Sequence, residues 1–337
     1  MLQNVIIILG PGEIAKPKLG VPGKYFWYLV KKISLASRAL ILLVSLLLFP
    51  LEGSSQSYID VVSASYGYSP NADFERDEGQ TDLQHVDLAL LLPFPIKKGP
   101  VLITGLNFFV NRLKLAPTSP ESISFYSLAP RVGLQFDYGN RWTGTHVIIP
   151  RISTAINNSR DGFQWAALQL FQQQKTANTS ISLGLYVSEE SYGWMLVPVF
   201  GGSLGGPNEP WEIRLFLPAQ GDVNFRISET LRGGLVFDGL GSTHDFENAQ
   251  FGKAYMQRIA NDLQAYLQFR LGKSLLMAVR GGYSFFRTYR VYQAGDTAGV
   301  SIANFFFKDD RTPLNSSVTD GFIGSIRLVY RLTLEKQ

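Results

Sequence analysis

Beyond about residue 57 the chain repeats one pattern, in which apolar and polar residues take turns. Trp211, Ile213, Leu215 and Leu217 alternate with Glu212 and Arg214, and Val223, Phe225 and Ile227 alternate with Asn224, Arg226 and Ser228. Leu263, Ala265, Leu267, Phe269 and Leu271 are interleaved with Gln264, Tyr266, Gln268 and Arg270. Val132, Leu134, Phe136 and Tyr138 oppose Arg131, Gly133, Gln135 and Asp137, and Phe322, Gly324, Ile326, Leu328, Tyr330 and Leu332 alternate with Ser325, Arg327 and Arg331. Successive side chains of a strand point to opposite faces, so each segment has one apolar and one polar face. The pattern predicts strands near 58–68, 84–94, 101–112, 122–138, 142–156, 163–173, 179–188, 193–201, 211–227, 230–239, 257–271 and 274–290, with a further one near 320–334. No amphipathic helix of useful length interrupts them.

Apolar faces on so many strands need a partner. In a soluble β-sandwich that partner is a second sheet, and a secreted β-sandwich that binds carbohydrate is one reading of the pattern. Lipid is the other, and two features favour it. Several segments reach 13 residues or more, beyond the usual 5–6 of soluble strands. Aromatics (Tyr66, Tyr68, Phe136, Tyr138, Trp142, Trp194, Trp211, Tyr283, Phe285, Phe286) gather near strand ends, as interfacial girdles do. A sheet in a bilayer has no water to satisfy its edges and must close. The expectation is therefore all-β: a closed, antiparallel, up-and-down transmembrane β-barrel of about 12 strands over residues 56–337. Thirteen segments conflict with the even count of bacterial barrels, so one is misread or broken; 193–201 is the weakest. Longer connections are expected at 70–82, 203–210, 239–255 and 291–319, and short turns at 138–140, 189–191 and 271–273.

The first 55 residues read as a leader. Lys31, Lys32 and Arg38 precede an apolar run from Ala39 to Phe49, followed by the small residues Gly53, Ser54 and Ser55. That is the layout of a secretory signal peptide, and the run is well short of the ~20 residues of a spanning helix. An upstream start codon would account for residues 1–23. The leader also carries the net charge. Residues 1–56 hold six Lys/Arg and two acids; removing them from 31 and 27 leaves 25 of each. The formal +4 thus gives no reason to expect a nucleic-acid partner. Only 17% of residues are charged and 45% are hydrophobic, which excludes a disordered chain. With no cysteine, thiolate catalysis and disulfide frameworks are excluded as well.

Three stretches carry a resemblance: DVVSASYGYSPNADF over Asp60–Phe74, PWEIRLFLP over Pro210–Pro218, and GYSFFRTYR over Gly282–Arg290 with Asp309-Asp310-Arg311 beyond it. Together they resemble a family of Bacteroidota outer-membrane β-barrels, domain of unknown function 6268. The resemblance implies the outer membrane of a Gram-negative bacterium and the barrel architecture. It brings no activity or catalytic residue.

Candidate chemistry is sparse. His85 and Asp87 share the polar face of one strand, the start of a base for an outer-membrane hydrolase. His146 falls in a strand beside Thr145, and His244 is placed in a loop beside Asp245. No G-x-S-x-G elbow and no histidine pair at metal-ligand spacing occurs. The acids of 73–78 and Asp309-Asp310 lack the fixed Gly and terminal Glu of an EF-hand, so no metal and no other cofactor is expected. The polar faces carry Arg131, Arg151, Arg214, Arg226, Arg232, Arg270, Arg280, Arg327 and Arg331 against Asp87, Asp137, Glu212 and Asp238. Together with His85 these form a lumen that is either a salt-bridged filling or a narrow, anion-leaning passage. The functional expectation is a non-catalytic outer-membrane barrel, structural or a porin-like transport channel. Its expected partners are outer-membrane lipid, the barrel-assembly machinery and a small solute.

Overall fold

A computed structural model describes residues 58–97, 99–156, 162–206 and 209–333. The leader expected at 1–55 lies outside them. The strands are β1 (Tyr58–Asp73), β2 (Gln80–Pro95), β3 (Val101–Leu113), β4 (Ile123–Gly139), β5 (Trp142–Ala155), β6 (Phe163–Thr176), β7 (Thr179–Glu190) and β8 (Gly193–Gly205). They continue as β9 (Trp211–Leu217), β10 (Gln220–Arg226), β11 (Leu231–Asn248), β12 (Gly252–Arg270), β13 (Leu275–Gln293), β14 (Gly299–Ile302), β15 (Phe305–Phe306) and β16 (Gly321–Thr333). Each of β2 to β13 pairs antiparallel with its predecessor, β16 pairs with β13, and β1 pairs with β16 to close the ring. The result is a closed antiparallel barrel of 14 strands, with β14 and β15 outside the ring.

The count differs from about 12 for a local reason. The expected strand 211–227 is broken: Pro218 has no N–H for a ladder, and β9 turns there into β10. Segment 193–201, the weakest in the pattern, is a full strand that runs on to Gly205. The expected connection 239–255 is instead a paired hairpin, laddered from Leu231↔Phe269 as far as Asn248↔Gly252. No apolar–polar alternation marks the pairing, because residues such as Thr243, His244, Phe246 and 254–257 are buried inside the protein regardless of polarity. The turn between β4 and β5 is set by Asn140 and Arg141, both at positive φ, as a two-residue hairpin requires. Strand parity puts the 74–79, 249–251 and 294–320 connections at one end of the barrel, termed the loop end. The 206–210 connection lies at the other. The short turn at 191–192 shares the loop end with the long connections.

The outer face is apolar. Leu88, Leu106, Ile148, Leu183, Leu235, Leu267 and Ile326 are exposed along it. Tyr138, Trp142, Trp211 and Phe225 ring one end, and Phe163, Trp165, Trp194 and Phe322 ring the other. A bulge between β12 and β13 carries Phe286 at φ 50° and lets the consecutive Phe285 and Phe286 both face outward. The alternation then resumes with Arg287 buried inside.

The inner face is less polar than the alternation suggests. Ile149, Leu168, Leu170, Val197, Val199 and Phe216 are buried in one apolar cluster, and Leu113, Phe125, Phe246, Met256 and Val291 in a second. The lumen is therefore filled by the chain itself. Beyond Asp238, β11 leaves the wall and crosses to the opposite side, where Asp245 bridges Thr154 of β5 in parallel. His244, expected in a loop, sits on this crossing segment, fully buried against Phe125.

Candidate functional site

Three layers of side chains occupy the lumen. At the loop end, Arg151 Nη2 lies 2.7 Å from Glu190 Oε1. The other carboxylate oxygen accepts hydrogen bonds from the backbone N–H and hydroxyl of Thr243, at 2.9 and 2.8 Å. Gln164 donates to the same hydroxyl at 2.9 Å, and Ser191 donates to Asp245 Oδ1 at 2.8 Å. The crossing segment of β11 is thereby tied to β5, β6 and β7.

At the opposite end, Tyr58 donates to Glu212 Oε1 at 2.8 Å, joining β1 to β9. Arg214 and Arg232 each approach the Glu212 carboxylate at 3.6 Å. Arg331 grips Asp60 with two bonds of 2.5 and 3.0 Å, and its guanidinium lies 3.6 Å from the centre of the Tyr58 ring. Six side chains from β1, β9, β11 and β16 thus lock that end.

Between these layers lies a polar cavity of about 950 Å³, counting the part open to solvent. His85 and Asp87 of β2, Asp238 of β11, Arg258, Asp262 and Gln264 of β12, and Arg280 of β13 line it. Arg280 Nη1 is 3.6 Å from Asp238 Oδ2, and Arg258 donates to the Tyr289 hydroxyl at 3.3 Å. Asp262 Oδ1 and Arg280 Nε are buried with no hydrogen-bond partner. Left so, each costs about 1–3 kcal/mol or more. Water or a solute in the cavity would meet them.

The structure brings His85, Asp87 and Arg280 together in this cavity and places Glu212, Arg214, Arg232 and Arg331 in the end cluster. Arg151 belongs to the loop-end layer, Arg131 is buried with Nε and Nη1 unpartnered, and Arg327 is half-buried on the inner face. Arg226 and Arg270 depart from the expectation. They are the last residues of β10 and β12 and are exposed, because the alternation that points them inward continues to where the strand leaves the wall. Asp137 is exposed near the end of β4 for the same reason. Asp60, Glu190, Asp222 and Asp262 join Asp87, Glu212 and Asp238 inside. The arginine excess counted from alternation is thereby largely balanced. Asp262 was legible two residues before Gln264, on the same face. Glu190 falls within the turn expected at 189–191, and nothing local marks Asp60 as a partner of Arg331, 271 residues away.

His85 stacks on Phe109 at 6.2 Å, and among the described residues no serine or threonine hydroxyl is hydrogen-bonded to it. His146 faces outward and bonds the Tyr138 hydroxyl at 3.1 Å. Among the described residues no group of three or more His, Asp or Glu side chains is arranged to hold a metal ion.

Within the 294–320 connection, Arg311 is packed among aromatic rings. The Arg311 guanidinium lies 4.2, 4.8 and 5.2 Å from the ring centres of Tyr292, Phe306 and Tyr192. It also donates to Tyr255 at 2.9 Å and twice to Asp309, each at 2.7 Å. Those bonds hold the Asp309 carboxyl below its ordinary value of 3.8. No motif announces this packing; only the Asp309-Asp310-Arg311 string hints at it.

No family model matches the sequence, and no curated protein matches it. Solved structures do. An outer membrane channel from Pseudomonas putida F1 aligns over 81% of this chain and 95% of its own, at 7% identity and a TM-score of 0.37. The beta domain of a Bordetella autotransporter aligns over 80% of this chain and 98% of its own, at 8% identity and a TM-score of 0.28. A siderophore receptor from Pseudomonas aeruginosa aligns over 83% and 82%, at 8% identity and a TM-score of 0.23.

Proposed function

We propose that this chain is an integral outer-membrane β-barrel of a Gram-negative bacterium, without catalytic activity, acting as a narrow channel whose resting lumen is closed by its own strands. The observation that carries the reading is the polar cavity held between two locked layers inside an apolar-faced, closed barrel. Within that cavity Asp262 Oδ1 and Arg280 Nε are buried with no protein partner, which leaves both an acceptor and a donor for whatever occupies it. A small polar solute passing through the cavity would supply those hydrogen bonds. The near balance of inward arginines and carboxylates favours a neutral or zwitterionic solute over a strongly anion-selective pore. The barrel-assembly machinery inserts the chain, and outer-membrane lipid covers the belt of exposed leucines and isoleucines.

The test is cell fractionation combined with heat-modifiable gel migration. The protein is expected in the outer-membrane fraction, with a faster-migrating folded form that is lost on boiling. Recovery in the soluble fraction as a single, unshifted band would overturn the assignment.

A further inference from the structure

Neighbouring strands of the wall are joined by long ladders except above the β9–β10 hairpin. β9 and β10 have seven residues each, whereas β8 has 13 and β11 has 18. β8 meets β9 only from Phe200 to Gly205, and β11 meets β10 only from Arg232 to Asp238. Toward the loop end the two flanking strands therefore have a breach between them. β14 fills one side, pairing Gly299–Ile302 in parallel with Gly193–Leu196 of β8, and β15 folds back on β14. Among the described residues no ladder joins β15 to β11.

That seam is thin, apolar outside and polar inside. Gly239 and Gly241 bring only backbone to it, and a Cβ added at Gly241 would collide with Asn304 Oδ1, an atom buried without a partner. On the outer surface Val300, Ile302, Phe305 and Phe307 are exposed, Phe305 by 75%. Immediately behind, Ala219, Gly239, Gly241 and Ser242 line the polar cavity. On the adjoining strand β12, opposite Asp238 in the ladder, Asp262 lines the same cavity, 8% exposed and with Oδ1 unpartnered.

We infer that the seam between β15 and β11 is a lateral portal, and that the cavity binds the polar head of an amphipathic molecule whose hydrocarbon chain passes through the seam into the bilayer. The head carries an ammonium or other N–H donors. A chain crossing here leaves lipid only for apolar side chains. A donor head supplies the hydrogen bond that Asp262 Oδ1 lacks. The inference rests on the membrane-embedded reading above and adds a lateral route and a ligand class to it.

The chain has no cysteine, so Ser242→Cys introduces its single thiol, at the cavity end of the seam. The refolded variant in phosphatidylcholine vesicles is treated with N-dodecylmaleimide, which dissolves in the bilayer, or with a sulfonated maleimide confined to water. Bilayer-borne labelling is expected to be faster by about tenfold, and dodecylammonium is expected to slow it while dodecanoate does not. Asp262→Asn is expected to weaken dodecylammonium protection about tenfold, equivalent to ~1.4 kcal/mol. Ala260→Cys, also on the cavity wall, serves if the first variant does not fold. Equal or faster labelling from water overturns the portal, as does no labelling by either reagent of a protein that still shows the heat-modifiable band. Equal protection by dodecanoate, or protection that survives Asp262→Asn, overturns the ligand chemistry. Loss of the heat-modifiable band in the unsubstituted protein overturns the membrane reading instead.

Discussion

Arg151 and Glu190 form an ion pair of 2.7 Å with both side chains sealed from solvent, 1% and 0% exposed. The pair links β5 to the end of β7, and through Thr243 it also pins the segment of β11 that crosses the lumen. A buried pair contributes little net stability over apolar replacements, yet removing one member strands the other charge. Glu190→Ala is therefore expected to cost about 3–5 kcal/mol, whereas the double change Arg151→Met with Glu190→Leu costs far less. Urea unfolding in detergent micelles, followed by tryptophan fluorescence, separates the two. Equal destabilisation by both would mean that the Thr243 contacts, and not the charge pairing, hold this layer.

A second expectation concerns Arg311, which packs against three aromatic rings and bonds Asp309 within the 294–320 connection. Arg311→Ala is expected to raise the rate of limited proteolysis within 294–320 without shifting the unfolding midpoint of the barrel. Because Asp309 titrates below its ordinary value in the folded protein, its contribution is present above that value of 3.8 and is lost as the pH falls through the lowered one. Pepsin cleavage in this connection should therefore stay slow above pH 3.8 and accelerate only as the pH falls below it. Asp309→Asn should remove that step. A step persisting in the variant would assign it to another carboxylate.

Gly67 and His85 face each other across β1 and β2, and the imidazole lies over the glycine. A Cβ at Gly67 would collide with three atoms of that ring. Gly67→Ala must push His85 off Phe109, at a cost of about 1–3 kcal/mol for overpacking. The histidine ring signals in an NMR spectrum should shift on this substitution, whereas Gly281→Ala, where a Cβ meets nothing, should leave them unchanged.

Leu235 is 53% exposed on the outer face of β11, in the part that remains in the wall. Leu235→Arg is expected to cost about 2–4 kcal/mol in a bilayer, the penalty for arginine at the lipid midplane. Refolding titrations into phosphatidylcholine vesicles measure this. A change within about 0.5 kcal/mol, ordinary for a water-exposed surface site, would place this face in water.

The wall was legible because period-two alternation is local, and each of Leu263, Gln264 and Leu267 declares its face without help from the rest of the chain. The interior was not, because its order is set by contacts distant in sequence. The alternation of β12 runs from residue 257 and places Gln264, but nothing in residues 239–248 says that β11 leaves the wall. That departure depends on Pro218 cutting β9 short and removing the neighbour β11 would otherwise have. Charge counting failed for a related reason. Arg226 and Arg270 sit in phase with the lumen but past the wall, while Asp60 and Glu190 are paired by closure of the ring. The 299–306 segment, four and two residues of strand in a 27-residue connection, carries no pattern that distinguishes wall from loop.

The central claim is a membrane barrel closed by its own chain, and planar-bilayer conductance tests it most directly. The refolded protein, without its predicted leader, should give a quiet baseline at neutral pH. Replacing 299–307 by a Gly-Ser linker, combined with Glu190→Gln to loosen the crossing of β11, should produce discrete openings with weak ion preference. A steady, ohmic conductance from the unsubstituted protein would contradict the account, because it would require an open lumen where the structure places two locked layers and a cavity between them.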